Sequence, residues 1–333
     1  MSTAELGRYK LVENGSSLRI ELGNGHRVLF TYPGAGEYDD VKSIGFGDCG
    51  CDLTVSENGK GLRYSVSKLS FGNTWGAAVA IADLSSGICR AGYEGCKGNG
   101  EVSLILLLGP EFSISSMARA GITSVEAITA VIQDLKLRDG QGRCGSGTGN
   151  LRMAIVSDKE SELHLRGTGK HSKMGEIIGR TVYDAVLNSA IKNDVQRPFP
   201  VMAELHSRGY DEERIRSMLE MTVDEFEKVA HKMDDENVRA CFSSISHLED
   251  EIEWGLIPES TGNDIGRKMM ESVLEVQTSK GENLLESFLF SLVDYRERSA
   301  FISHERRPTP SGTSPRPALR PDHRRHRLSV PRL

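Results

Sequence analysis

The chain has 333 residues, of which 41 are Lys or Arg and 47 are Asp or Glu, and its formal net charge is −6. Residues 1–200 carry 22 charges of each sign, residues 201–300 carry 11 basic and 23 acidic side chains, and residues 301–333 carry eight Arg against two acids. This length and uneven charge predict two domains and a tail, and the longest aliphatic run, Leu104–Leu108, is too short to cross a bilayer.

Short stretches of alternating or continuous apolar residues predict the strands of the first domain. Turn residues separate some of them, and Gly23-Asn-Gly25 and Asn58-Gly59 each predict a hairpin because Gly and Asn adopt the positive φ of tight turns. Glu101–Leu108 is largely apolar, which predicts a strand buried on both faces. The predicted strands are Ser17–Glu21, Arg27–Thr31, Leu53–Val55, Leu62–Val66, Ala77–Leu84, Glu101–Leu108, Leu151–Val156 and Leu163–Leu165.

Helices follow in the second half of this domain. Thr123-Ser-Val-Glu126 has the spacing of a capping box, and apolar residues then recur at helical spacing as far as Leu135, so a helix is predicted to begin at Thr123. Lys173–Lys192 has one apolar face and predicts a second helix. Strands followed by strand–helix units favour an α+β or α/β layer fold for residues 1–195.

A glycine-rich stretch, Gly142-Arg-Cys-Gly-Ser-Gly-Thr-Gly-Asn150, lies between the first helix and the next strand. Its small residues leave backbone N–H groups able to approach a ligand. The stretch lacks the closing Gly-Lys-Ser/Thr of a Walker loop, and it does not open a helix as a dinucleotide fingerprint does. A plain loop between a helix and a strand is the alternative.

A basic stretch, Arg166-Gly-Thr-Gly-Lys-His-Ser-Lys-Met-Gly-Glu176, opens the second helix. Lys170, His171 and Lys173 crowd the helix N-terminus, whose partial positive charge attracts anions and repels cations. This placement indicates an anionic or carbonyl-bearing ligand, with histidine as the side chain best suited to move a proton at neutral pH. The alternative is that the three side chains only extend into water.

In this order and separation, the two stretches resemble the adenosylcobinamide amidohydrolases of cobamide salvage. The similarity spans residues 15–192 and is strongest over Ile128–Val186. That family cleaves the amide that joins aminopropanol to a corrin side chain, and it releases adenosylcobyric acid and 1-aminopropan-2-ol. The resemblance implies a hydrolase that acts on adenosylcobinamide and needs no cofactor for this reaction.

Amide hydrolysis needs an activated nucleophile, hydrogen-bond donors for the developing oxyanion and a proton for the leaving amine. We expect His171 to be the base and Thr148 or Ser146 to be the nucleophile or to orient a water, with Cys144 as a rival nucleophile. Glu176 is expected to orient His171 or to protonate the amine, and backbone N–H groups around residues 145–149 to form the oxyanion hole. The expected substrate-binding residues are Gly145, Ser146, Gly147, Gly149, Asn150, Lys170 and Lys173.

Residues 196–298 predict an all-α module, because apolar residues recur there at helical spacing between capping and stop signals. Thr222-Val-Asp-Glu225 is one such capping box. Most of the acidic excess of this module is expected on the solvated faces of its helices.

This module resembles the soluble branch of the phosphatidylglycerophosphatase A family, through Asn237–Trp254 and Gly255–Ser260. Some archaeal relatives act on α-ribazole phosphate, and fusion to an amidohydrolase is the architecture of bifunctional enzymes of cobamide salvage. The resemblance implies a second, phosphatase activity on α-ribazole phosphate, with Mg²⁺ held by Glu251, Glu282 and Glu286. Leu285 stands where that family has Asp, so a degenerate helical domain is the alternative.

Residues 299–333 are rich in Arg and Pro without apolar periodicity, which predicts a disordered basic tail. A shifted reading frame near Glu297–Ser299 is an alternative origin for it. We expect no nucleic-acid partner, because the rest of the chain lacks a basic surface pattern studded with aromatic residues, and no membrane partner. Homo-oligomerisation is left open.

A cytoplasmic location is expected. Met1–Glu5 does not resemble a signal peptide, and no pair of the six Cys has the usual spacing of zinc ligands, so reduced thiols are predicted. Two other function classes also stay open. One is a nucleotide-dependent small-molecule transferase that uses the glycine-rich stretch and Lys170, and the other is a non-catalytic corrinoid-binding protein.

Overall fold

The computed structural model describes residues 2–277, apart from residues 16, 32–34, 57–62, 94–97, 141–142, 196–199, 208–210 and 219–220. Its strands are β1 (Ser2–Leu6), β2 (Tyr9–Asn14), β3 (Ser17–Glu21), β4 (His26–Phe30), β5 (Gly36–Asp39), β6 (Ser43–Phe46), β7 (Leu53–Ser56), β8 (Ser65–Phe71), β9 (Thr74–Asp83), β10 (Ile88–Cys89), β11 (Glu101–Leu108), β12 (Gly147–Thr148) and β13 (Asn150–Asp158). Its helices are α1 (Ile114–Asp134), α2 (Lys173–Lys192), α3 (Val201–Ser207), α4 (Glu212–Met218), α5 (Val223–Met233), α6 (Glu236–Glu253) and α7 (Glu259–Gln277).

Two large sheets form the first part of the chain. One has the order β1-β2-β3-β6-β7 and the other β5-β4-β13-β11-β9-β8, while β10 and β12 form a separate short pair. Neighbouring strands in the large sheets are antiparallel, except that β6 pairs with β7 and β11 pairs with β13 in parallel. The result is a mixed α/β arrangement followed by a helical region, as the sequence predicts.

The six-stranded sheet is the middle layer. All eight residues of β11 are buried, because Ile105 and Leu107 face the five-stranded sheet while Leu104 and Leu106 face α1 and α2. The prediction of a strand buried on both faces is therefore confirmed for β11. On the helical side, α2 lies on β8 and β9, and α1 lies on β13 and reaches β4.

Both predicted hairpins are wrong. The strand β3 pairs with β2 and β6, whereas β4 pairs with β5 and β13 in the other sheet. Gly23 and Gly25 do have positive φ, but the turn carries the chain from one sheet to the other. The strands β7 and β8 also lie in different sheets, while Asn58-Gly59 lies outside the described residues. Alternating apolar residues indicate only that one face of a strand is buried. Packing against a second sheet buries that face whether or not the strand pairs with its neighbour in sequence.

The first helix begins earlier than predicted. Ser113 is the N-cap of α1, and its side chain accepts a hydrogen bond from Ser116 N. Thr123 therefore lies inside the helix, although its spacing is that of a cap. The predicted strand Leu163–Leu165 is not a strand, because it forms only an isolated bridge between His164 and Glu111. The bounds of α2 agree with the prediction.

A cluster of polar side chains joins the two sheets. The side chains of Tyr9, His26 and Asp158 are buried, and Arg8 contacts both His26, at 2.9 Å, and Asp158. Tyr9 Oη lies 3.0 Å from His26 Nε2. Burial raises the pKa of Tyr9 to about 12 and lowers the pKa of His26, so both side chains are neutral at pH 7.

The helices α3–α7 form the predicted all-α module, here called the helical bundle. It has an apolar core of its own, which includes Val201, Phe226 and Phe242. The capping box at Thr222 is present, with both reciprocal hydrogen bonds between Thr222 and Glu225. Among the helices described, none is long and apolar enough to span a membrane.

A buried ion pair attaches the helical bundle to the sheet domain. Arg138 donates to both carboxylate oxygens of Asp250, at 2.8 and 2.6 Å, and the two side chains are only 3% and 9% exposed. Lys136 Nζ also donates to Ser243 O at 2.8 Å. The contact thus joins α6 to the segment that follows α1.

The prediction of reduced thiols is wrong for three of the cysteines that the structure describes, Cys49, Cys51 and Cys89, which are disulfide-bonded. A disulfide joins Cys49 to Cys51 in the connection between β6 and β7. Gly45 lies beneath this pair, and a Cβ added there would meet Leu18 O at 2.0 Å and both sulfurs at 3.0 Å. The absence of a side chain at Gly45 is therefore what leaves room for the pair.

Several predictions fall outside the described residues. They are the last part of the predicted all-α module, residues 278–298, the metal ligands Glu282 and Glu286, and the disordered tail over residues 299–333. The domain limits 1–195 and 196–298 stay predictions.

Replacing Asp250 by Ala should lower the free energy of unfolding by about 3–5 kcal/mol, because the buried Arg138 charge loses its carboxylate. Glu251→Ala is the matched control, since Glu251 is the next residue and its 3.5 Å ion pair with His247 lies at the surface. That variant should change stability by about 1 kcal/mol or less. Urea unfolding followed by circular dichroism measures both, and equal effects of the two substitutions would contradict the role given to the buried pair.

Candidate active site

Residues 163–172, called the basic loop below, run along α1 before α2 begins. The hydroxyl of Thr123, on α1, donates to Thr168 O at 3.1 Å. Three residues further along the helix, Glu126 Oε1 accepts from Lys170 Nζ at 3.1 Å. The basic loop is therefore attached to α1 by a main-chain contact and an ion pair.

The end of the basic loop is shaped by a helix cap and a close glycine contact. Ser172 is the N-cap of α2, and its Oγ accepts from Gly175 N at 3.0 Å and donates to Gly169 O at 2.8 Å. A Cβ added at Gly175 would lie 1.9 Å from Gly169 O. The loop can therefore fold back on the first turn of α2 only because Gly175 has no side chain.

The basic side chains at the start of α2 have acidic partners or extend into water. His171 and Lys173 are exposed. Lys173 Nζ lies 2.7 Å from Glu176 Oε2, and Arg180 lies 3.6 Å from the other oxygen of that carboxylate. The hydrogen bond from Lys173 lowers the pKa of Glu176, so this group is ionised at neutral pH. An ionised Glu176 can orient a neighbour, but it has no proton to give to a leaving amine.

Residues 143–150, the described part of the predicted Gly-rich stretch, are called the glycine-rich loop below. Within it, β12 pairs with β10. Three of its N–H groups donate to main-chain carbonyl groups: those of Gly145 to Leu137 at 2.8 Å, of Ser146 to Cys89 at 2.8 Å and of Gly149 to Gly87 at 3.3 Å. The prediction that the N–H groups of this loop are open to a ligand is wrong for these three residues.

The side chains of the glycine-rich loop differ in what they contact. Ser146 Oγ accepts from Ala91 N at 2.8 Å, so its hydroxyl helps to hold the loop. Thr148 Oγ1 donates a 3.2 Å hydrogen bond to Asn150 O, two residues further along the chain. A Cβ added at Gly147 would meet no atom within 4 Å, so the surface beside Thr148 has room for a ligand.

The two loops lie on one stripe of α1. Thr129 Oγ1 donates to Ser146 O at 2.8 Å, so the glycine-rich loop attaches at Thr129 as the basic loop attaches at Thr123 and Glu126. Residues three apart lie on the same side of a helix, and six residues span about 9 Å along its axis. The structure therefore places the two predicted stretches beside each other, although they are separate in sequence.

One pair of chemically competent side chains is not evident from the sequence. His164 Nδ1 contacts the carboxylate of Glu111, and the two residues follow the parallel strands β13 and β11. Nearby, Ser116 Oγ donates to Arg166 O at 3.0 Å. Carboxyl ends of parallel strands are common places for active sites, but the sequence does not show that these two strands are parallel neighbours. The His164–Glu111 pair is therefore a second candidate for the general base, besides His171.

Comparison with known proteins locates a family match in this part of the chain. Residues 63–198 match the model of the adenosylcobinamide amidohydrolase family (CbiZ). The match contains both loops, α1 and α2, and it ends before the helical bundle begins. This part of the chain is therefore similar to adenosylcobinamide amidohydrolases.

One relative shares a similar segment, and its name states no activity. An uncharacterized protein of Methanocaldococcus jannaschii is 35% identical over 97 residues, which is 28% of this chain. The aligned segment is 37% of the length of that protein. The activity of the whole chain is therefore a matter for proposal.

Gly175→Ala should lower the free energy of unfolding by about 1–3 kcal/mol, because the new methyl group collides with a backbone carbonyl that cannot move without the basic loop. Gly179→Ala is the matched control in the same helix, since a Cβ at Gly179 meets no atom within 4 Å. Replacing a helical Gly by Ala without a collision should stabilise by about 0.5–1 kcal/mol. Thermal unfolding of both variants measures the difference, and two changes of the same sign would show that the close contact is not needed.

Proposed function

We propose that this protein hydrolyses the aminopropanol amide of adenosylcobinamide and releases adenosylcobyric acid and 1-aminopropan-2-ol, a reaction of cobamide salvage. One observation carries the proposal. The match to the amidohydrolase family covers residues 63–198, and within that region α1 holds the glycine-rich loop and the basic loop side by side.

The reaction needs an activated nucleophile, stabilisation of the developing oxyanion and a proton for the leaving amine, and side chains of the two loops can supply them. A water adds its oxygen to the amide carbon, the C–N bond breaks, and the amine leaves with a proton. We assign proton removal to His171, acting on the water itself or on the hydroxyl of Thr148. The imidazolium formed in this step returns the proton to the leaving nitrogen. If Thr148 attacks the amide carbon, water afterwards hydrolyses the acyl-threonine ester that remains once the amine has left.

The developing oxyanion is assigned to Lys170 of the basic loop and to Lys173, the first residue of α2. Three N–H groups of the glycine-rich loop already have carbonyl partners, whereas Lys170 and Lys173 form surface ion pairs with Glu126 and Glu176, and Lys173 also lies 4.7 Å from the centre of the Phe71 ring. Such exposed pairs contribute about 0–1 kcal/mol and give way readily to a stronger anion. Glu176 is ionised, so its proposed role is to orient the basic side chains rather than to act as an acid.

The same contacts weigh against a nucleotide-dependent transferase. A loop that cradles phosphates does so with unoccupied backbone N–H groups, and those of Gly145, Ser146 and Gly149 are occupied. A corrinoid-binding protein without catalysis would use the same surface and differ only in turnover. A hydrolysis assay therefore decides between the classes.

The proposed activity is restricted to the sheet domain. In α6, Asp250 binds Arg138, and Glu251 lies 3.5 Å from His247. Within residues 2–277 as described, no group of three or more His, Cys, Asp or Glu is placed to hold a metal ion. Phosphatase activity on α-ribazole phosphate with Mg²⁺ rests on sequence resemblance alone, and release of inorganic phosphate from that compound would establish it.

The proposal is tested by incubating the full chain with adenosylcobinamide, with and without ATP, and measuring 1-aminopropan-2-ol by mass spectrometry. Release without ATP is expected. Release that requires ATP would favour the transferase, and corrinoid binding without release would favour the binding protein.

His171→Ala should lower the rate of release by at least about 100-fold, the usual contribution of a general base. His164→Ala is the comparison, because His164 is the other histidine of the basic loop and has a carboxylate partner. It should keep the rate within about threefold of the original on the assignment made here. If His164→Ala loses the activity and His171→Ala keeps it, the base is the His164–Glu111 pair instead.

A further inference from the structure

An apolar pocket lies between α1 and the sheet, on the side of α1 away from α2. Its volume is about 440 Å³, within the range of small-molecule sites. The sheet contributes Leu29, Met153 and Ile155 to its wall, and the helix contributes Gly121, Ile122 and Val125.

The pocket exists because the helices do not cover the whole sheet. The helix α2 lies on β8 and β9, and α1 lies on β13 and only reaches β4. Gly121 adds no side chain on the side of α1 that faces β13, and a Cβ there would lie 3.4 Å from Met153 and Ile155. Leu29 of β4 is left at the edge of the packed core.

The helical wall of this pocket is unusually exposed for its residue types. Ile122 is 61% exposed and Val125 is 38% exposed. The two residues lie about one helical turn from each other, on the same face of α1 as Ala118. Apolar side chains grouped around a concavity mark a ligand site more often than a solvated surface.

Glu126 connects this pocket to the candidate active site. Its side chain lines the pocket and also forms the ion pair with Lys170, and Lys170 is the neighbour of His171. A ligand that fills the pocket therefore has its edge beside the basic loop.

We propose that this pocket binds one edge of the corrin ring, so that the amide side chain of the substrate reaches the basic loop. This inference rests on the proposed function. A corrin carries many methyl groups around its rim, which suit the apolar wall, and an alkylated cobalt(III) corrin has a net positive charge, which suits the Glu126 carboxylate at the mouth. Ile122 and Val125 are then specificity-determining residues, because they hold the ring rather than the amide.

The test measures corrinoid binding separately from hydrolysis. Adenosylcobyric acid has the ring but lacks the aminopropanol amide, and its dissociation constant is obtained from its visible absorbance. Ile122→Gln and Val125→Gln should each weaken binding by about tenfold or more, since each removes apolar contact without adding charge. Ile191→Gln is the matched control, because Ile191 is 46% exposed at the far end of α2 and does not line the pocket.

The outcomes separate this inference from the proposed function. Hydrolysis by the original protein with unchanged corrinoid binding in both pocket variants would overturn the pocket assignment and leave the function standing. Binding that the pocket variants weaken, without hydrolysis by any form, would support the pocket and overturn the function.

A second copy of the chain is the competing occupant of this apolar face. Analytical ultracentrifugation of the same variants tests it. A shift from dimer to monomer in the pocket variants, with corrinoid binding unchanged, would assign the face to self-association and overturn the proposal.

Discussion

The parallel pairing of β11 with β13 is the constraint on which the rest of the sheet domain depends. Parallel neighbours cannot be joined by a hairpin, so the chain must cross over the sheet, and α1 is that crossover. The inner face of α1 packs into the core through residues such as Ile128 and Val131. Its outer side is then left to bind the loops that precede and follow β13, and this arrangement brings the candidate catalytic residues together.

The same crossover explains where the domain is open. A single helix over β13 leaves the helical side of β4 partly uncovered, and the apolar pocket lies there. Glu126 faces both the pocket and the basic loop. We therefore interpret the pocket and the two loops as parts of one proposed site, which meet at this residue of α1.

Seven of the thirteen described strands overlap a predicted strand, and α2 has its predicted bounds, because burial on two faces and amphipathic spacing leave plain patterns in residues such as those of β11. Prediction from the sequence fails where one pattern of residues fits two different structures. Gly23 and Gly25 fit a hairpin and also a crossing between sheets, and Thr123 fits a cap although its hydroxyl binds Thr168 O inside a long helix. Local sequence does not distinguish these choices, because the deciding partner is distant along the chain.

The candidate site is predicted in part for the same reason. Composition and helix electrostatics single out both loops, and the structure places them beside each other. The occupied N–H groups of Gly145 and Ser146 and the His164–Glu111 pair were not foreseeable, because each depends on strand pairing. In the helical bundle, the acidic excess predicts a solvated surface, yet Asp250 is used in a buried ion pair with Arg138.

The proposed function requires that the glycine-rich loop and the basic loop together form one corrinoid site on α1. Hydrogen exchange with mass spectrometry, with and without adenosylcobyric acid, tests it most directly. Slower exchange is expected in peptides from both loops when the corrinoid is bound. Protection of only one loop at saturating corrinoid would contradict it.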